Sequence, residues 1–122
     1  MFGRWKKPAS EPAQEPDEAP AAYEIKTQAE IGLMFAQRLD DPAEDREQQR
    51  AYALRAIERC LVGLASIEDD FYHGFAAHMT IKLCLAAGER IAAKALYAGI
   101  RDPGVREEVL KDFPDLMTRP SA

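Results

Sequence analysis

The chain has 122 residues and a mass of 13.6 kDa, which is room for one domain and little more. It is 47% apolar, 30% charged and 8% aromatic, a make-up that excludes a membrane-embedded or wholly unfolded polypeptide. Acidic residues outnumber basic ones by 21 to 16, and the net charge of -5 argues against a nucleic-acid binder, which needs a basic face to neutralise phosphates.

The opening segment, Met1-Phe2-Gly3-Arg4-Trp5-Lys6-Lys7, is basic like the start of an export signal. Pro8-Ala9-Ser10-Glu11 follows where an apolar core would be needed, so secretion is not expected and the default address is the cytosol. No run approaches the ~18–20 apolar residues of a membrane span.

Residues 8 to 22 carry prolines at 8, 12, 16 and 20, half of the chain's 8. Each ring removes an amide donor and disfavours helix in the residue before it, and only alanines supply apolar surface. Residues 1 to 22 are therefore expected to be a disordered tail, whose proline-rich part could reach roughly 45 Å in polyproline geometry. A helical domain over 23–117 and a frayed end over 118–122 complete the expected organisation.

From Tyr23 to Asp40, residues Ile25, Ala29, Gly32, Leu33, Ala36 and Leu39 share one side of a predicted helix. Asp41-Pro42-Ala43-Glu44 reads as the start of the next, with Asp41 as its cap and Glu44 in capping-box position. That helix is polar through Arg50, where its first turns should project into solvent. It then builds a stripe of Ala53, Leu54, Ile57, Cys60, Leu61 and Leu64.

A break at Ser66 to Asp70 offers an aspartate to cap a third helix, Phe71 to Ala87. One face of it collects Tyr72, Phe75, Ala76, Met79, Leu83 and Ala86; another collects Ala77, Ile81, Cys84 and Leu85. Only the seams His78 with Lys82 and His73 with Thr80 divide them, so this helix is expected to be packed on both sides at the centre of the fold. Gly88 supplies a left-handed stop.

A fourth helix, Glu89 to Arg101, turns Ala92, Ala93, Leu96, Gly99 and Ile100 inward. Asp102-Pro103-Gly104 is a turn or a helix start, and Val105, Val109, Leu110 and Phe113 sketch a short fifth helix that Pro114 halts. The expected class is all-α: four main helices plus a short fifth in antiparallel hairpins, closed as a bundle or open as a solenoid.

Gly88, Ala93, Tyr97 and Asp102-Pro103 resemble the second half of a tetratricopeptide unit. In that family a glycine closes the first helix, alanine and an aromatic pack the second, and Asp-Pro ends the unit. Ala53, Ile57 and Cys60 stand 40 positions before Ala93, Tyr97 and Ile100, a second such helix at a period longer than the usual ~34. The resemblance covers about a quarter of the chain and implies a groove that receives a peptide or partner helix.

Chemistry-bearing residues are sparse. Asp69, Asp70, His73 and His78 form the one cluster of ligand or acid–base types. Asp69 and His73 can meet across a helical turn, whereas His73 and His78 stand five apart and diverge by about 140°. A metal or general-base site there is the alternative to a capping aspartate with two seam histidines. No nucleophile elbow, phosphate-cradling loop or dinucleotide fingerprint occurs, and Cys60 and Cys84 read as reduced core residues. Neither catalysis nor a cofactor is expected. The acidic run from Asp40 to Glu47, with Arg46 and Arg50, reads as a solvated face or a docking surface.

The N-terminal segment is the candidate site. Trp5, the one tryptophan, sits with Phe2 among Arg4, Lys6 and Lys7 ahead of a linker that has no use for it. It would dock on the helical body, recognise another protein, or touch an anionic membrane transiently. The leading expectation is a non-enzymatic helical interaction module with a tethered recognition motif and a protein partner. Phe71, Met34 and Tyr52, off the main stripes, would be the contact surface of a homo-oligomer.

Overall fold

The computed structural model describes residues 17–42 and 45–117. Five helices follow one another: α1 (Ala19–Gln37), α2 (Arg46–Leu64), α3 (Asp70–Ala86), α4 (Arg90–Ala98) and α5 (Pro103–Asp112). No strand forms among the described residues, and the class is all-α as expected.

The first helix starts earlier than its sequence suggests. Pro20 lies in the first turn of α1, where a missing amide costs nothing, so the proline-rich stretch ends inside a helix and Ala22 is already fully buried. The start of α2 is also displaced. Asp45, not Asp41, is the cap, its carboxylate accepting from the Gln48 amide at 3.1 Å; Ala43 and Glu44 lie outside the described residues. The polar opening of α2 is only partly solvated, because Gln49 is buried against the body.

α3 is capped by Asp69, which accepts from the Tyr72 amide at 2.9 Å. It ends at Gly88, whose φ of 81° places it in the left-handed region. The Glu89 amide reaches the Cys84 carbonyl at 2.7 Å and the Gly88 amide reaches Leu85 at 3.2 Å, the paired bonds of a Schellman stop. Arg50 of α2 then clamps this turn, donating to the Ala87 carbonyl at 2.8 Å and to Glu89 at 2.7 Å.

α3 packs against all four other helices. α1 lies on α2 and α3, while α4 and α5 are joined to the rest chiefly through α3. Its buried side chains, Ala76, Ala77, Thr80, Ile81, Leu83 and Cys84, spread around most of the helix, as a central element requires. Thr80 does not form a polar seam: it is fully buried, and its hydroxyl donates to the Ala76 carbonyl at 2.9 Å, which satisfies it within the helix.

Small residues set the helix spacing. A Cβ on Gly32 would come within 2.6 Å of Ala56 Cβ and 2.8 Å of Leu83 Cδ2, so α1 approaches α2 and α3 through its bare backbone. A Cβ on Gly74 would meet three Val105 side-chain atoms at 3.1 Å, which seats α5 on α3.

Several stripe residues face outward. Leu61, Ala86 and Gly99 are exposed, since a stripe drawn on one ideal helix is wider than the contact its neighbours provide. α4 stops at Ala98 rather than Arg101, where Gly99 weakens the helix, Ile100 turns into the core and Arg101 turns back to α3. Beyond Pro114, Leu116 is buried as well: a turn brings its amide to the Phe113 carbonyl at 3.0 Å, and Arg90 donates to the carbonyls of Asp115 and Leu116.

Candidate functional site

The expected N-terminal motif, Phe2, Arg4, Trp5, Lys6 and Lys7, lies outside the described residues. The described chain begins at Asp17, and its first tie to the body is specific. The Glu18 carboxylate accepts from the Glu68 amide at 3.0 and 3.1 Å and from the Asp69 amide at 2.7 Å, so the entry to α1 is fastened to the α2–α3 junction. Arg101 arrives at the same junction, donating to Asp70 at 2.6 Å and to the Glu68 carbonyl at 3.5 Å. A carboxylate close to the amides that open a helix also complements its dipole.

The Asp69, His73 and His78 cluster is not assembled. Asp69 caps α3, His73 sits near Asp70 and Arg101, and His78 Nε2 is paired with Asp112 Oδ2 at 2.8 Å on α5. Burial lowers the His73 pKa, and the Arg101 charge lowers it further against the opposing pull of Asp70. Among the described residues no group of three or more His, Cys, Asp or Glu side chains is arranged to hold a metal ion. Burial raises both thiols, with Cys84 pushed up to about 11; Cys60 and Cys84 are buried and free.

The α3–α5 contact instead creates an aromatic cleft of about 240 Å³. Phe71, Phe75 and His78 line it from α3; Asp102, Gly104, Val105 and Glu108 line it from the start of α5. Its construction is local. Asp102 accepts from the Val105 amide at 3.0 Å and fixes the start of α5 at Pro103. Gly74 lets Val105 close on α3, and Gly104 lines the cleft without a side chain. The His78–Asp112 pair and the edge-on contact of His78 with Phe113, 6.1 Å between centroids, hold the far wall.

An apolar rim extends from this cleft onto α1. Tyr23 stacks edge-on against Phe75 with centroids 5.5 Å apart, yet remains 57% exposed. Phe71 is 53% exposed, at the lip. Of the off-stripe residues, Phe71 and Met34 both face outward. Tyr52 does not: its ring lies 4.9 Å from that of Phe35 and is spent holding α1 to α2.

Two further grooves differ in character. One of about 560 Å³ between α2 and α4 is lined by Leu54, Ile57, Leu61 and Ala92 with Arg55, Glu58 and Glu89, and holds no aromatic ring. Another of about 550 Å³ along α1 and α2 carries Asp17, Glu24, Gln28, Arg59 and Ser66. The acidic run is partly consumed internally, with Asp45 capping α2 and Arg46 donating to the Leu39 carbonyl at 2.7 Å. No described helix is long and apolar enough to cross a membrane.

No protein-family model, curated protein or solved structure matches the chain.

Proposed function

We propose that this chain is a non-enzymatic helical module for protein–protein interaction, and that the aromatic cleft between α3 and α5 is its docking site. The observation that carries the reading is the exposure of Phe71 and Tyr23 around a cleft already floored by Phe75 and Val105. Aromatic side chains left half in water beside an apolar cavity gain most when a second apolar group covers them. Buried aromatic anchors of this kind dominate interface energetics.

A tetratricopeptide-like arrangement is the reading of the architecture that these features favour. Gly88 ends α3 in the left-handed region, while Ala93 and Tyr97 are the buried residues of α4. Ala53, Ile57 and Cys60 are buried in α2 at the corresponding places. The helix contacts are compatible with that layout: α3 touches both α1 and α5, α2 touches α1 and α3, and α4 touches α3. In such a layout the α1–α3–α5 face is the receiving surface, and the cleft lies on it. The cytosol remains the proposed location.

The test is affinity recovery from the native host with the full chain and with Phe71→Asp. Because Phe71 is half in water, the substitution leaves the core intact. A partner retained by the unaltered chain and lost with the variant is the expected result. Identical recovery by both would refute the cleft as docking site.

A further inference from the structure

We propose that the α3–α5 cleft is occupied by the chain's own aromatic-basic segment, Phe2 to Lys7, as an intramolecular ligand that a partner must displace. This rests on the reading of the cleft as a docking site.

The first support is where the chain enters. Glu18 is bound to the amides of Glu68 and Asp69, so the polypeptide leaves the body at the N-terminal end of α3, the helix whose first turn carries Phe71. Residues 8 to 16 span up to roughly 28 Å at ~3.1 Å per residue in extended proline-rich geometry. The cleft wall from Phe71 to His78 rises only about 10 Å along its helix at ~1.5 Å per residue. The tether is ample.

The second support is chemical. A cavity of about 240 Å³ lined by Phe71, Phe75 and Val105 suits one large ring rather than a chain of polar groups. Trp5 and Phe2 are such rings, each burying on the order of 150–250 Å² when packed. The rim is acidic: Asp102 and Glu108 line it directly, while Asp112 is paired with His78 of its wall. Lys111 approaches Glu108 only at 4.0 Å, leaving the Glu108 carboxylate 58% exposed. Arg4, Lys6 and Lys7 bring the opposite charge. The groove along α1 and α2 begins at Asp17 of the entry itself and carries Glu24, but Gln28, Arg59 and Ser66 share its walls and it holds no aromatic ring to receive another.

The third support is physical. A short tether holds its end at an effective concentration of order mM, so contacts too weak to bind between molecules suffice within one. A partner then binds with an apparent affinity reduced by the docked fraction.

Trp5 is the chain's only tryptophan, so its emission reports the contact directly. Emission maxima and acrylamide quenching would be measured for the full chain, for Phe71→Asp, for Glu108→Lys and for a free peptide of residues 1–16. The expected result is a blue-shifted, shielded Trp5 in the unaltered chain. Both variants should shift to the red and lose protection toward the peptide values, with little change in melting because both positions are more than half exposed. A Trp5 as exposed in the unaltered chain as in the peptide would overturn the proposal, as would shielding that neither variant relieves. Shielding that grows with protein concentration would place the segment in a second copy and overturn the intramolecular contact. Failure here with partner recovery still dependent on Phe71 would leave the docking site standing; loss of that dependence with Trp5 still docked would do the reverse.

Discussion

Replacing Gly32 by alanine probes the closest helix approach in the fold. The added methyl would sit 2.6 Å from Ala56 Cβ and 2.8 Å from Leu83 Cδ2, against an optimal separation of ~3.5–4.0 Å. Leu83 Cδ2 ends a flexible side chain and can swing aside. Ala56 Cβ is fixed to the backbone of α2, so α1 and α2 must move apart. Overpacking of this kind costs typically about 1–3 kcal/mol, and removing glycine from a helix interior returns about 1 kcal/mol. With a contact this short against a fixed Cβ the upper part of that range applies, about 2–3 kcal/mol, so the net loss is about 1–2 kcal/mol, a fall in melting temperature of roughly 5–15 °C for a domain of this size. Denaturant titration and calorimetry would measure it. Ala56→Gly alone should also destabilise, by about 1 kcal/mol through helix propensity. Adding Ala56→Gly to Gly32→Ala should cost little or nothing further, because it removes the closest contact and couples the two sites favourably. Gly74→Ala is a contrast: its Cβ would meet Val105 at 3.1 Å, and α5 rests mainly on α3 and can yield, so the effect should be small. A Gly32→Ala protein as stable as the unaltered chain would refute the close-approach reasoning.

Other expectations follow from the same contacts. Glu18→Ala removes an acceptor shared by two amides and should lower stability by about 1 kcal/mol, read from the denaturation midpoint; an unchanged midpoint would show that the α1 entry is not fastened there. Cys60 and Cys84 should resist thiol reagents at mildly alkaline pH until the protein opens, because burial keeps both protonated; labelling at the rate of the denatured chain would contradict their placement. His73 has a lowered pKa, so the unfolded chain binds its proton more readily, and stability should fall as pH drops below about 6.5 toward the folded-state value. His73→Gln should flatten that part of the stability–pH profile, and an unaltered slope would assign it to other groups.

How much of the site was legible follows from which physics each residue obeys. Phe71 stood out in the sequence because it falls off the apolar stripes of its helix, and Asp102-Pro103-Gly104 read as either a turn or a helix start. Nothing in the spacing of either segment says that they meet. That contact depends on Gly74, which reads as a mere gap until Val105 is seen against it. The tie of Glu18 to Glu68 and Asp69 is equally invisible, since a carboxylate fifty residues away carries no periodic signal.

Periodicity, caps and breakers are local quantities, and they alone determined that this chain makes helices, that α3 is apolar on more than one side, and that Gly88 ends it. The tertiary structure decided which edge of each stripe was covered. It put Thr80 into the core with its own carbonyl as partner, left Leu61 and Gly99 in solvent, folded Leu116 back beneath Arg90, and let Pro20 open a helix rather than prevent one. The physical reason is that burial belongs to pairs of surfaces: a sequence specifies one member of each pair, and only packing supplies the other.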